Sequence, residues 1–144
     1  MITEDYVSFE TAKLLKEKGF NIPCNCYGAY SGVNLTYRLC ITDKYTNWNK
    51  HTDKRIISCP TLQMAMKWLR EVHNLCLFVI PATIDETFRT GYALYPQCDS
   101  KWEWCASKND RSKATFGVDI NKKYCDSYEQ ACETAIKYCL ENLI

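Results

Sequence analysis

Ten cysteines, two histidines and four tryptophans are the residues of this 144-residue chain with the most chemistry to offer. Zinc needs thiolates or imidazoles in tight pairs, two pairs converging on one ion. Cys24-Asn25-Cys26 comes nearest, and its one-residue spacing is not that of a zinc site. Cys40, Cys59, Cys76, Cys98, Cys105, Cys125, Cys132 and Cys139 are scattered, mostly inside apolar patterns. Free cysteine commonly packs as a small hydrophobe, which is the reading adopted; a structural metal or a redox role for Cys24 and Cys26 stays open. A cysteine nucleophile would need a histidine beside it. His51 lies in a polar stretch, and His73 falls near a helix C-terminus, where the dipole favours its charged form. Neither has a spaced partner. The five glycines are nowhere closely paired, so there is no phosphate loop, and Asp85-Glu86 reads as a water-facing turn. No catalytic residue, metal or cofactor is therefore expected, and the chain is not read as an enzyme.

Aromatic and basic residues together suggest binding instead. Arg38, Lys44, Lys50, Lys54 and Arg55 face only Asp43 and Asp53, and Tyr45 and Trp48 lie among them. Lys101, Lys108, Arg111, Lys113, Lys122 and Lys123 face only Glu103, Asp110 and Asp119, with Trp102 and Trp104 on one face of a strand. Rings for stacking beside cations for phosphate are what a nucleotide-like anion needs. The expected ligand-binding set is Trp102, Trp104, Lys101, Arg111, Tyr45, Trp48, Arg38 and Arg55; the alternative is a solvated surface over a packed Trp pair. Met64 and Trp68, one helical turn apart and off the core stripe, are expected to form a homodimer interface, unless Trp68 is simply the edge of the core.

Regular elements must position these residues. Ser8 caps a first helix running to Lys18, with Gly19 at its left-handed end and Phe20 folding back onto Leu15. Cys26 to Tyr30 reads as a strand, Ser31-Gly32 as a turn and Val33 to Ile41 as the hairpin partner. In that partner Val33, Leu35, Tyr37, Leu39 and Ile41 alternate onto one face, expected to be buried, and Asn34, Thr36 and Arg38 onto the other. Residues 42–54 read as a polar loop and Arg55 to Cys59 as a short strand. Thr61 caps a second helix with a stripe of Leu62, Ala65, Met66, Leu69 and Val72. Leu75 to Ile80 reads as a central strand, followed by strands at Phe88–Tyr95, Lys101–Ala106 and Ala114–Ile120. Ser127 caps the last helix, whose inner stripe is Tyr128, Ala131, Cys132, Ala135 and Cys139. The order α-ββ-β-α-βββ(β)-α with hairpin-length connections is α+β, with a mostly antiparallel sheet and three helices. The three helix starts share cap, apolar residue, Glu/Gln and Ala, which common capping physics explains and a duplicated unit would also give.

At 16.8 kDa, with 47% apolar and 24% charged residues, the chain has the size and composition of one globular domain, residues 1–144. No apolar run approaches the roughly 20 residues that span a bilayer, so no membrane partner is expected. The opening Met1-Ile2-Thr3-Glu4-Asp5 is acidic where an export signal would be basic and then apolar. A net charge of +1 is too balanced for general nucleic-acid binding.

Three blocks carry a resemblance: Thr3-Glu4-Asp5-Tyr6-Val7-Ser8-Phe9-Glu10, the stretch Pro60-Thr61-Leu62-Gln63-Met64-Ala65-Met66-Lys67-Trp68-Leu69-Arg70-Glu71, and Ser127-Tyr128-Glu129-Gln130-Ala131. They resemble a family of small phage and prophage proteins of gut Bacteroidetes. The resemblance implies a setting, a phage protein acting in bacterial cytoplasm, where thiols stay reduced. In that setting the residue chemistry suggests a counter-defence sponge holding a nucleotide-derived immune signal of the host. A protein–protein inhibitor or adaptor is the second expectation and a nucleotide-cleaving enzyme the third.

Overall fold

A computed structural model describes residues 2–31, 36–81, 102–108, 114–116 and 127–144, with backbone alone for residues 76, 78, 80, 81, 102–108 and 114–116. The fold is α+β. The elements are α1 (Phe9–Glu17), β1 (Cys24–Ser31), β2 (Thr36–Thr46), a 3-10 turn (Trp48–Lys50), β3 (Ile56–Ser58), α2 (Leu62–His73), β4 (Leu75–Pro81), β5 (Trp102–Lys108), β6 (Ala114–Phe116) and α3 (Tyr128–Asn142). The strands pair antiparallel in two three-stranded sheets, β2-β1-β3 and β4-β5-β6. The strand expected at Phe88–Tyr95 lies outside the described residues, as do Asp85-Glu86 and the end of the strand expected at Ala114–Ile120.

Helix boundaries follow from local chemistry. The hydroxyls of Ser8, Thr61 and Ser127 accept from the backbone N–H groups of Thr11, Met64 and Gln130, satisfying donors that a first helical turn leaves orphaned. Gly19 takes φ +89°, and the Phe20 N–H returns to the Leu15 carbonyl at 2.8 Å. Asn74, at φ 55°, ends α2 in the left-handed conformation, which asparagine tolerates better than most residues. Ahead of α1, the Val7 N–H donates to the Pro60 carbonyl and the Leu62 N–H to the Asp5 carbonyl, so the N-terminal segment is stitched to the start of α2.

One core joins the helices to both sheets. Val7, Ala12, Leu15, Phe20, Cys26, Ile57, Cys59, Leu62, Ala65, Trp68, Leu69, Leu75, Cys132, Ile136, Cys139 and Leu140 form a contiguous buried cluster. α3 packs on α1, α2, β4 and β5, while α1 touches β3 and α2 touches β4. Cys24, Cys26, Cys59, Cys132 and Cys139 are all inaccessible free thiols, with Cys40 half-buried. Burial pushes the Cys26 and Cys139 thiols up to about 12 and Cys59 to about 11, because a thiolate loses its hydration there.

Three expectations are corrected. The second strand extends to Thr46, so residues 42–46 are strand where a loop was read. Where described, its alternation does not mark a buried face: Leu39 is 40% and Ile41 61% exposed, while Tyr37 packs inward against Phe9; Val33 and Leu35 lie outside the described residues. The reason is position, since among the described residues β2 lies at one edge of its sheet and α1 packs on β3 at the other. On α2 the buried stripe is Leu62, Ala65, Trp68 and Leu69, and Val72 is exposed. Among the described residues β4 pairs with β5, and the central position expected of it turns on residues outside those described.

Candidate functional site

Two strands and a turn bring the first basic, aromatic segment together. In β1 the alternation that buries Cys24, Cys26 and Gly28 turns Asn25, Tyr27 and Ala29 to the opposite, outer face. Cross-strand pairing adds to that face Cys40 opposite Tyr27 and Arg38 opposite Ala29, because directly paired residues point the same way. Trp48 then folds over it, its ring centroid 4.5 Å from that of Tyr27 at an interplanar angle of 39°. The geometry lies within the range of favourable aromatic pairs.

The turn that carries Trp48 is fixed by side chains. The indole N–H donates to the Cys24 carbonyl at 2.9 Å. On either side, Asn47 Nδ2 donates to the Asn21 carbonyl and Asn49 Nδ2 to the Phe20 carbonyl, both at 2.8 Å. Asn49 and the buried Ser58 exchange two further bonds, Asn49 N–H to Ser58 Oγ and Ser58 N–H to Asn49 Oδ1. A stretch that reads as polar loop is thus clamped to β1 and β3. Trp48 is held half-buried, not free to swing.

Electrostatics around Tyr27 reflect the same neighbours. Its hydroxyl hydrogen-bonds with Cys40, which raises its pKa, while the charge of Arg38 acts in the opposite direction. Arg38 is exposed. The face therefore offers an aromatic pair, a thiol–phenol pair and a guanidinium whose fork suits a phosphate or carboxylate. Tyr27 was missed in the sequence; its signal is an aromatic residue at a position where the strand's buried neighbours alternate away.

The other expected residues are placed differently. Arg55 is tied to Asp53: Nε donates at 3.0 Å and Nη2 at 2.8 Å to its carboxylate. The bond holds Asp53 at a pKa of about 2, and an arginine so neutralised has little charge left for a ligand. Tyr45 is 66% exposed on β2, in electrostatic reach of Tyr6. Trp102 and Trp104 are registered opposite Pro81 and Val79, and of the two tryptophans the backbone alone is described. Lys101 and Arg111 lie outside the described residues. Among the described side chains the structure thus gathers Arg38 and Trp48 around Tyr27 and leaves Tyr45 and Arg55 out of that cluster.

The expected interface pair separates as well. Trp68 is 3% exposed, edge-on to Phe20 at 5.4 Å and to His73 at 4.5 Å, so it is a core residue and does not line a surface. Met64 is half-buried. His73 is not kept charged by the helix end: burial, with the Lys18 charge adding to it, lowers its pKa. Desolvation outweighs a dipole that acts only within the last turn.

A cleft of about 240 Å³ lies between the N-terminal segment and the starts of α2 and α3, lined by Glu4, Asp5, Gln63, Tyr128 and Glu129 among others. Three carboxylates make it unfavourable for an anion. Among the described residues no group of three or more His, Cys, Asp or Glu gathers as a metal site, and no helix is long and apolar enough to cross a membrane. Comparison with protein-family models, curated proteins and solved structures finds no match to this chain.

Proposed function

We propose that this chain is a small phage-type binding protein of the bacterial cytoplasm that captures a nucleotide-derived anion and withholds it from a host defence system, acting as a homodimer. The observation that carries the reading is the Tyr27–Trp48 ring pair with Arg38 on the same outer face of the first sheet. A base or ribose edge stacks on the rings while the guanidinium meets a phosphate. The clamped Trp48 turn supports it, because a platform already ordered loses little entropy when it binds. The phage setting rests on the three sequence blocks named above.

The test is capture and release. Purified protein is incubated with cyclic nucleotide and ADP-ribose-type signals, desalted, and heated to free whatever it holds. Recovery of intact ligand, lost on Trp48→Ala or Arg38→Ala in protein that still folds, is the expected result. Altered ligand identifies an enzyme, and no uptake identifies an adaptor; either overturns the sponge.

A further inference from the structure

Sulfur gathers on the inner face of the first sheet. Cys24, Cys26 and Cys59 are free thiols with no exposure to solvent, and the outer-face site uses none of their side chains. Register places two of them side by side. Tyr27 lies opposite Ser58 and Gly28 opposite Ile57, so the next step of the ladder sets Cys26 opposite Cys59. The Cys59 N–H donates to the Cys26 carbonyl at 3.0 Å, which makes them a hydrogen-bonded antiparallel pair. Such pairs hold their Cα atoms about 5.5 Å apart, inside the roughly 4.4–6.8 Å that a disulfide spans. Both belong to the buried core cluster, and directly paired residues share a face. A bond between the two sulfurs therefore asks for little change in backbone path.

We infer that Cys26 and Cys59 are a dithiol pair that a low-molecular-weight disulfide of the glutathione class converts to an intramolecular disulfide, a redox-responsive staple between β1 and β3. Exchange runs in two steps. The Cys59 thiolate attacks one sulfur of the small disulfide, forming a mixed disulfide and expelling one small thiolate. The Cys26 thiolate then attacks the Cys59 sulfur, closes the Cys26–Cys59 bond and expels the second. The two protein thiols give up two protons and two electrons, and the oxidant leaves as two thiols. Cys59 goes first because the Tyr37 hydroxyl is hydrogen-bonded to its sulfur, which favours the thiolate. Gly28 makes that reach possible, since a Cβ there would collide with the Tyr37 ring. Burial keeps both thiols protonated, so exchange waits on local opening of the three-residue β3 strand and is slow. Cys24 competes poorly. It stands two residues from Cys26 on one strand, about 6.6 Å along it, whereas a disulfide holds its Cβ atoms roughly 3.5–4.5 Å apart. Its sulfur donates instead to the Cys26 carbonyl. Cys40, opposite Tyr27, lies on the other face of the sheet.

The loop closed by this bond carries β2 and the Trp48 turn, so the staple constrains the segment that holds Tyr27, Arg38 and Trp48 whatever that face binds. A cross-link of that kind restricts the unfolded chain and stabilises the fold. The test holds reduced, purified protein in excess oxidised glutathione under native conditions. Remaining thiols are then alkylated, and the disulfides are mapped by peptide mass spectrometry without reduction. A Cys26–Cys59 bridge is expected, with a raised melting temperature that returns to its starting value on reduction. In Cys26→Ala the small thiol should stay trapped on Cys59. Cys59→Ala should show no rise in melting temperature, while Cys24→Ala should bridge as the wild type does. The wild-type map decides the matter even where a variant does not fold. Absence of a bridge between Cys26 and Cys59, or Cys59 joined to Cys24 in its place, overturns the assignment.

Discussion

Trp68 shows how one residue's environment overrides its apparent place on a helical wheel. It sits off the stripe read from Leu62, Ala65, Met66, Leu69 and Val72, yet it is buried and Val72 is exposed. Which 100° of a helix faces the core depends on where Phe20, from a distant loop, comes to rest. Trp68→Ala should therefore destabilise by about 3–5 kcal/mol, measured by urea denaturation; a change below about 1 kcal/mol would mean the ring is a surface feature. His73 is a second case. Its Nε2 is buried without a partner among the described residues, and its lowered pKa means the unfolded chain binds a proton that the folded chain resists. Stability should accordingly fall as pH drops below about 6.5, the ordinary histidine value. His73→Asn should flatten that limb of the pH profile, and an unchanged limb would assign it to other groups. Gly28 is a third, since a Cβ there would lie 1.9 Å from Tyr37 Cε2. The strand pattern around it gives no warning of that contact.

At the scale of elements, what is local was legible and what is long-range was not. Ser8, Thr61 and Ser127 announce three helix starts because a cap bonds within its own first turn. Gly19 announces an end because only the next residue's N–H is needed to close it. The exposure of Leu39 and Ile41 was not legible, since alternation tells which residues share a face but not whether anything covers it. The Trp48 turn was hidden for a similar reason: its clamps reach back from Asn47 and Asn49 to Asn21 and Phe20. The docking of α3 on α1 was hidden too. Glu133 accepts from the Ser8 N–H at 3.0 Å and from the hydroxyl of fully buried Thr11. Lys137 pairs with Glu10 at 2.8 Å beside it. Glu133→Ala should cost about 1–3 kcal/mol, because the Thr11 hydroxyl loses its acceptor and keeps only the bond it accepts from the Ser8 hydroxyl. Lys137→Ala should cost much less than Glu133→Ala, because an ion pair open to solvent is screened. Equal losses in chemical denaturation would contradict this ranking.

Over the whole molecule, the fold class was readable from cap and period alone, as was the order of the helices and strands among the described residues. The division into two three-stranded sheets was not, because sheet membership is a matter of long-range pairing. The near-neutral net charge conceals a local arrangement. Arg55 is paired with Asp53 and the cleft at the helix starts is acidic, which among the described residues leaves Arg38, beside the Tyr27–Trp48 pair, as the cation best placed for an anion. Calorimetric titration of the purified protein with the ligand recovered from it tests this most directly. The account predicts saturable binding by the wild type, at least tenfold weaker binding by Arg38→Ala, about 1.4 kcal/mol or more, and a similar loss for Trp48→Ala. Binding that is unchanged in both variants, with their melting temperatures intact, would contradict it.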